Sequence, residues 1–216
     1  MLSFYCERVS DDFFGEPFNA FTNIFFIFSS ILIIRLSRDY ISFFSVSFIG
    51  LASFLFHTYP SSLTGFLDVL AIIIFMLLVT NKIYLQFFNL RFLYSIFISI
   101  FFVIICYICG MLLHESILGT SSFYFPIILH LFFLIIYLHK KKFTFENLKY
   151  LYYSTLLFSC SILFRILDKK VCVFFPVGTH FIWHIFNAIF LYLLIKFLYL
   201  SSHRATPKKP PQSYSK

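Results

Sequence analysis

Long apolar stretches broken by short polar turns constrain the fold of this chain more than any other feature. Hydrophobic residues make up 60% of the 216 residues and charged residues only 12%, against about 25% charged in a typical soluble domain. A helix needs about 20 mostly apolar residues to cross a bilayer. Seven stretches are suitable: residues 17–34, 41–58, 64–80, 92–113, 123–139, 148–164 and 174–199. The sequence therefore predicts an all-α polytopic membrane protein, a bundle of seven transmembrane helices.

The end of the chain differs in composition from the rest. Residues 201–216 are basic, contain Pro207, Pro210 and Pro211, and lack a long apolar run. Such a segment has too few apolar side chains to fold by burying them. We therefore expect one membrane domain over residues 1–200 and a disordered cytoplasmic tail over residues 201–216.

The distribution of positive charge predicts the orientation of the bundle. All but four of the 17 Lys and Arg residues fall in the loops of one side or in the tail, and that side is expected to be cytoplasmic. The other side receives Arg8, Arg165, Lys169 and Lys170. The N-terminus is then outside and the C-terminus inside, in either a bacterial inner membrane or a eukaryotic endomembrane. This pattern accounts for the net charge of +8, so we predict no nucleic-acid partner.

Three histidines and one aspartate stand out because imidazole and carboxylate groups are costly inside a bilayer. His180 and His184 lie one helical turn apart in the last apolar stretch, and His57 lies near the end of the second. Asp68 follows His57 by eleven residues, and Ser53 precedes it by four. Three imidazoles that leave a fourth position to water are a common ligand set for catalytic zinc. The sequence therefore predicts a zinc site formed by two helices.

The orientation derived from charge brings these residues to one side of the membrane. The side chains that it places on the outer side are Glu7, Glu16, His57, Asp68, His180 and His184. Polar residues with unrelated structural roles have no reason to agree in this way, because the orientation depends on Lys and Arg alone. We therefore expect the site to lie near the non-cytoplasmic face.

Two further side chains suit a hydrolytic reaction at such a metal. Asp68 can accept a proton from the attacking water as a general base, and Ser53 can donate a hydrogen bond to the developing oxyanion. The implied reaction is hydrolysis of an amide or ester whose substrate arrives from the membrane. Taken singly, these residues have plainer explanations. A membrane His or Ser commonly bonds a neighbouring helix, and an aspartate such as Asp68 is favoured in the first turn of a helix.

Acidic residues near the N-terminus suggest a second metal. Glu7 and Glu16, with Asp11 or Asp12, offer the hard carboxylate oxygens that calcium prefers. The number of ligands does not follow from the sequence. A calcium site at these residues is therefore a hypothesis for the structure to examine.

Five cysteines divide into two groups. Cys106, Cys109 and Cys160 lie inside predicted spans and are expected to be small buried apolar residues. Cys6 and Cys172 both fall on the predicted outer side, which is an oxidising compartment in most cells. A disulfide between these two would tie the N-terminal segment to the loop before the seventh span.

Four segments together resemble one family of membrane enzymes. They are YCER (Tyr5–Arg8), GEPFNAFTN (Gly15–Asn23), SFLFHTYPSSLTGFLD (Ser53–Asp68) and GTHFIWHIFNA (Gly178–Ala188). The chain resembles the alkaline ceramidase family, within the CREST superfamily of seven-helix membrane hydrolases. The spacing from the histidine to the aspartate in the third segment is the most discriminating part of the likeness.

The resemblance implies a zinc amidase that cleaves ceramide into a sphingoid base and a fatty acid. The positions that match the family's metal ligands are His57, His180 and His184. Asp68 matches the residue that activates water, and Ser53 matches the residue that assists at the metal and the oxyanion. The partner implied is a ceramide-like membrane lipid.

The resemblance also bears on calcium, which the animal members of the family bind through acidic N-terminal residues. Glu7 and Glu16 match such ligands. Arg8 and Val9, in contrast, fall where those members carry further polar ligands. The segment between Cys6 and Glu16 also looks shorter than theirs.

Two other functions remain open at this point. One is a related membrane hydrolase that acts on another amide or ester lipid, since the same ligand set would serve it. The other is a non-catalytic seven-helix protein of the receptor type, in which the metal is structural. A metal with four protein ligands and no water would indicate the second.

Overall fold

The computed structural model describes residues 5–10, 12–116 and 118–204, apart from the side chains of the last two residues. All regular elements in these ranges are helical. The eight α-helices are α1 (Pro17–Thr22), α2 (Ile24–Ser37), α3 (Tyr40–Thr58), α4 (Ser62–Phe88), α5 (Phe92–Leu112), α6 (Phe125–Lys140), α7 (Phe145–Val171) and α8 (His180–Arg204). A 3₁₀-helix, Gly119–Tyr124, precedes α6. The predicted disordered tail began at residue 201, but residues 201–204 continue α8, and residues 205–216 lie outside the described residues.

Seven of the helical segments are long and apolar enough to cross a membrane. The first joins α1 and α2 across Asn23, and the fifth joins the 3₁₀-helix and α6. For the described residues, the predicted all-α architecture with seven helical segments able to span a membrane is therefore confirmed. The orientation of the two termini stays a prediction.

Three predicted spans were too short or began too early. The third was expected to end at residue 80, but α4 continues to Phe88 because its polar side chains find partners on other helices. Lys82 pairs with Asp39, and Gln86 donates to the carbonyl of Leu198 in α8. The sixth was expected at 148–164 and spans Phe145–Val171, since it begins at a Thr144 capping box that the prediction did not use.

The seventh span begins at His180 rather than at residue 174. Turns occupy most of residues 172–179. Gly178, two residues before the helix, has φ +68°, a left-handed conformation that favours glycine. A side chain there would also overlap the carboxylate of Asp168. The helix that carries two of the three histidines therefore starts abruptly, at His180 itself.

Local signals place His57 and Asp68 on either side of one tight turn. His57 lies in the last turn of α3, and α4 starts four residues after α3 ends, at Ser62. Ser61 and Thr64 form a capping box at the first turn of α4, in which the side chain of each residue accepts the backbone N–H of the other. Asp68 then falls in the second turn of α4. We call this end of the bundle the site end.

α8 is the central helix of the bundle and packs against α1, α2, α4 and α7. The core around it is apolar and includes fully buried Ile33, Val46, Leu148 and Leu151. Large apolar side chains such as Phe101 of α5 point outward instead, as expected for surfaces that face lipid.

The predicted disulfide is present and joins Cys6 to Cys172, whose Cα atoms are 5.3 Å apart. Cys106, Cys109 and Cys160 are free thiols; Cys106 is fully buried as expected, whereas Cys109 and Cys160 are only partly buried. The disulfide ties the segment before α1 to the end of α7. Both of these lie at the site end.

Candidate metal centre

Three buried histidines meet at the site end of the bundle. His57 comes from α3, and His180 and His184 come from successive turns of α8. One ring nitrogen of each lies within 4.8 Å of the corresponding nitrogens of the other two. The ring centroids are 4.6 to 5.4 Å apart. The structure therefore brings together the three side chains that the sequence singled out.

The rings of His57 and His184 are each held through one nitrogen and leave the other without a partner. His57 Nδ1 bonds the carboxylate of Glu16, and His184 Nδ1 lies 3.0 Å from Thr22 Oγ1. Among the described residues, His57 Nε2, His184 Nε2 and His180 Nδ1 have no hydrogen-bond partner. Metal-binding histidines characteristically bind the ion through one ring nitrogen and hydrogen-bond a neighbouring group through the other. A buried cluster of unpartnered imidazole nitrogens therefore fits a zinc ion.

Asp168 fixes the start of the helix that carries two of the histidines. Its buried carboxylate accepts the backbone N–H groups of Thr179 at 2.7 Å and of His180 at 3.0 Å. It also accepts the backbone N–H of Cys6 at 3.0 Å. An anionic group at a helix N-terminus is favourable, because the first N–H groups have no partner within the helix. The sequence analysis missed this role, although an acidic residue twelve positions before His180 was a visible signal.

Ser53 and Asp68, the two predicted catalytic residues, also lie together. The Ser53 side chain is buried on α3 and interacts with the carboxylate of Asp68 on α4. Asp68 is close enough to His57 to interact with it electrostatically. The structure thus brings together the five residues that the sequence predicts as metal ligands or catalytic groups.

Arg165 lies in α7 rather than in a loop, as do Lys169 and Lys170, and the side of the membrane on which these residues lie stays a prediction. The guanidinium carbon of Arg165 lies 5.5 Å from the ring centroid of Tyr124 and 5.3 Å from that of Trp183. Aromatic faces stabilise a cation that is removed from water. Arg165 also interacts electrostatically with Asp68. Sequence reasoning could not find this arrangement, because it depends on which helices are neighbours.

A cavity of about 1040 Å³ opens next to the histidine cluster, although none of the three histidines lines it. Its wall includes Asp68, Tyr124, Arg165 and Trp183, so the acidic side chain faces an open space. Tyr5 also lines it and stacks on His180 with ring centroids 3.8 Å apart. The cavity mixes apolar side chains with hydroxyl, basic and acidic groups. That lining suits the polar end of a lipid.

Glu7 and Glu16, the two acidic residues considered as calcium ligands, bind other groups of the protein. Glu16 is buried and forms an ion pair with Arg8, and it bonds His57 and the side-chain amide of Asn19. Burial would raise the pKa of Glu16, but these hydrogen bonds and the charge of Arg8 more than offset it and hold the pKa below its usual value. Glu7 accepts the backbone N–H groups of Phe18 and Asn19 at 2.6 and 2.8 Å.

Burial raises the pKa of Glu7 above its ordinary value, although the two backbone hydrogen bonds oppose this effect. Asp12 is exposed, and Asp11 lies outside the described residues. The acidic cluster expected from the sequence is therefore divided. Glu7 caps the N-terminus of α1, whereas Glu16 orients His57.

Comparisons with known proteins place these residues in a family. No curated protein matches the chain. The Ceramidase family model, in contrast, matches residues 5–215, a range that contains every histidine, carboxylate and hydroxyl of the site. Since the match covers essentially the whole chain, the protein belongs to the ceramidase family.

Proposed function

We propose that this protein is a zinc-dependent membrane amidohydrolase that cleaves the N-acyl amide bond of ceramide-like lipids to a sphingoid base and a fatty acid. The observation that carries the proposal is the buried cluster of three imidazoles beside Asp68. Membership of the ceramidase family supports the amide bond as the target. The seven apolar helical segments support a substrate that reaches the site from the bilayer.

The proposed chemistry follows from the residues around the cluster. A zinc ion held by His57, His180 and His184 would polarise the amide carbonyl and make a water molecule more acidic. Asp68 accepts the proton from the attacking water and delivers it to the leaving amine, as a single positioned carboxylate can do in both directions. Ser53 donates a hydrogen bond, either to the Asp68 carboxylate or to the oxyanion that forms on the amide.

The cavity supports a lipid that enters with its polar end first. Its volume of about 1040 Å³ is more than a water molecule needs, and its wall contains Asp68. Exposed apolar residues on the site-end turns of α3 and α4 include Leu55, Leu63 and Phe66. These side chains can pack against the acyl chain while the amide group lies at the histidines.

A panel of N-acyl lipids in detergent micelles would test the proposal. Free fatty acid release is measured with and without a zinc chelator, and with zinc added back. We expect release from ceramides, its loss with the chelator, and its recovery with zinc. Release from a different amide or an ester lipid alone would favour the related hydrolase instead.

Absence of turnover in a zinc-loaded protein would favour the non-catalytic receptor-type protein. X-ray absorption would then decide between three nitrogen ligands with an open position and a closed shell of four protein ligands. A protein that holds no zinc after purification in zinc-containing buffer would contradict the proposal.

A further inference from the structure

The second metal considered from the sequence, calcium, does not fit the oxygens that the N-terminal segment offers. Calcium takes six to eight oxygen ligands. Both oxygens of Glu7 accept backbone N–H groups at the start of α1. One oxygen of Glu16 pairs with Arg8, and the other bonds His57 and Asn19. The two carboxylates that match the family's calcium ligands are thus used within the chain.

Few other oxygens are available nearby. In the described part of the chain, Asn19 Oδ1 and Asn23 Oδ1 are buried without a hydrogen-bond partner, which supplies two further ligands at most. Asp12 is exposed. Val9, at a position where animal members carry a polar ligand, has an apolar side chain that is 77% exposed. This set falls well short of a calcium shell.

A cation is nevertheless present at this place, on the side chain of Arg8. Arg8 is 5% exposed, and its Nε forms an ion pair with fully buried Glu16. Its two terminal nitrogens lie 3.4 Å from the carbonyl oxygens of Ser10 and His57. His57 lies in the last turn of α3, where carbonyls lack partners in the helix and a positive charge is favourable. Arg8 therefore joins the N-terminal segment, α1 and the end of α3.

We propose that the guanidinium of Arg8 takes the place of a calcium ion, so that this protein folds and holds its metal centre without calcium. Arg8 fixes Glu16, and Glu16 fixes the ring of His57. Arg8 is thus a positioning residue for the metal centre. The effect on zinc rests on the proposed function, whereas independence from calcium does not.

Elemental analysis of the wild-type protein is the first test. The protein is purified in buffer with both zinc and calcium, desalted, and analysed for each metal. Thermal unfolding is then followed with and without added calcium. We expect no bound calcium and no shift of the unfolding temperature. About one calcium ion per chain, or a rise of the unfolding temperature with calcium, would overturn the proposal.

These readouts keep the two proposals separate. A protein without zinc and without calcium would contradict the proposed function and leave the assignment of Arg8 standing. A protein with both metals would be consistent with the proposed function and would contradict the assignment of Arg8. Both measurements use the wild-type chain, so they do not depend on whether any variant folds.

Variants of Arg8 test the positioning role. Arg8→Gln removes the charge, Arg8→Lys keeps it, and Arg35→Gln removes the charge of an exposed arginine on α2 as the control. We expect Arg8→Gln to lower zinc affinity about 10- to 100-fold, as loss of groups that orient a metal ligand typically does. Arg8→Lys should recover part of this loss. An Arg8→Gln protein that matches Arg35→Gln in zinc affinity and unfolding temperature would overturn the positioning role.

Discussion

The bundle has two ends, and each holds ion pairs and histidines in a different setting. At the site end, the Arg8–Glu16 pair has side chains that are 1% and 0% exposed, and it touches His57. At the opposite end, where α3 begins, the Lys82–Asp39 pair has side chains that are 32% and 24% exposed. Breaking a buried pair is costly because it leaves a charge without water or a partner, whereas an exposed pair contributes little. The comparison teaches that the buried polar groups at the site end hold side chains in a defined geometry. Those at the opposite end are paired where water can reach them.

The largest contrast is expected between histidines of the two ends. His180→Ala should abolish lipid hydrolysis, since it removes one of three ligands of the proposed zinc ion. His139→Ala, at an exposed position near the end of α6, should leave hydrolysis close to wild type. Turnover and zinc content are measured for both. An active His180→Ala protein would remove the metal centre from the mechanism.

Two serines on α3 allow the next comparison. Ser53→Ala should reduce kcat by about 10²- to 10³-fold, the usual loss for one donor to an oxyanion. Ser45, also buried on α3, bonds the carbonyl of Ser42 in its own helix. Ser45→Ala is therefore expected to leave kcat unchanged. Equal kcat values for the two variants would contradict the catalytic role of Ser53.

Glu16 and Asp39 compare the acidic members of the two ion pairs directly. Glu16→Gln keeps the shape of the side chain but leaves Arg8 buried without its counter-charge, so we expect a loss of about 3–5 kcal/mol in the free energy of unfolding. The ring of His57 also loses its carboxylate partner, which should weaken zinc binding about 10- to 100-fold. Denaturant unfolding and zinc competition measure the two effects. A loss no larger than that of Asp39→Asn would show that burial does not distinguish the pairs.

The two ends also differ in how much the sequence could predict. Helix positions followed from apolar length, and the meeting of His57 with His180 and His184 was expected because charge placed all three on one side. These inferences need only the chain and the membrane. Asp168 and Arg165 were missed because their roles depend on contacts between α7, α8 and the N-terminal segment. Contacts of this kind follow from which helix faces meet, and apolar length does not determine that.

The same limit explains why the end of α4, which lies at the opposite end of the bundle, was predicted too early. Polar residues such as Lys82 suggest the end of a span when they are considered alone. In the bundle, Lys82 bonds Asp39 and Ser42, so α4 continues for six residues beyond it. Polar partners on a neighbouring helix thus lengthen one element at this end. At the site end, the polar partner Glu16 instead fixes the side chain of His57.

The smallest expected effect concerns the partly exposed Lys82–Asp39 pair and its dependence on pH. Burial would raise the pKa of Asp39, but the hydrogen bonds from Lys82 and Ser42 more than offset this and lower it below its ordinary value. A lowered pKa in the folded state means that the carboxylate stabilises the fold above its ordinary pKa. This stabilisation is lost as the pH falls through the lowered value.

Asp39→Asn should therefore cost about 0.2–1 kcal/mol at neutral pH, the range for exposed ion pairs. The cost should shrink as the pH falls below about 4, the ordinary range for a carboxyl group, because the wild-type carboxylate then takes up its proton. Unfolding of both proteins is followed across this range, with the exposed pair Lys149–Glu146 removed by Glu146→Gln as the control. A large cost at neutral pH would mean that Asp39 fixes the geometry of α3 and α4 as Glu16 fixes His57, and the two ends would then not differ in kind.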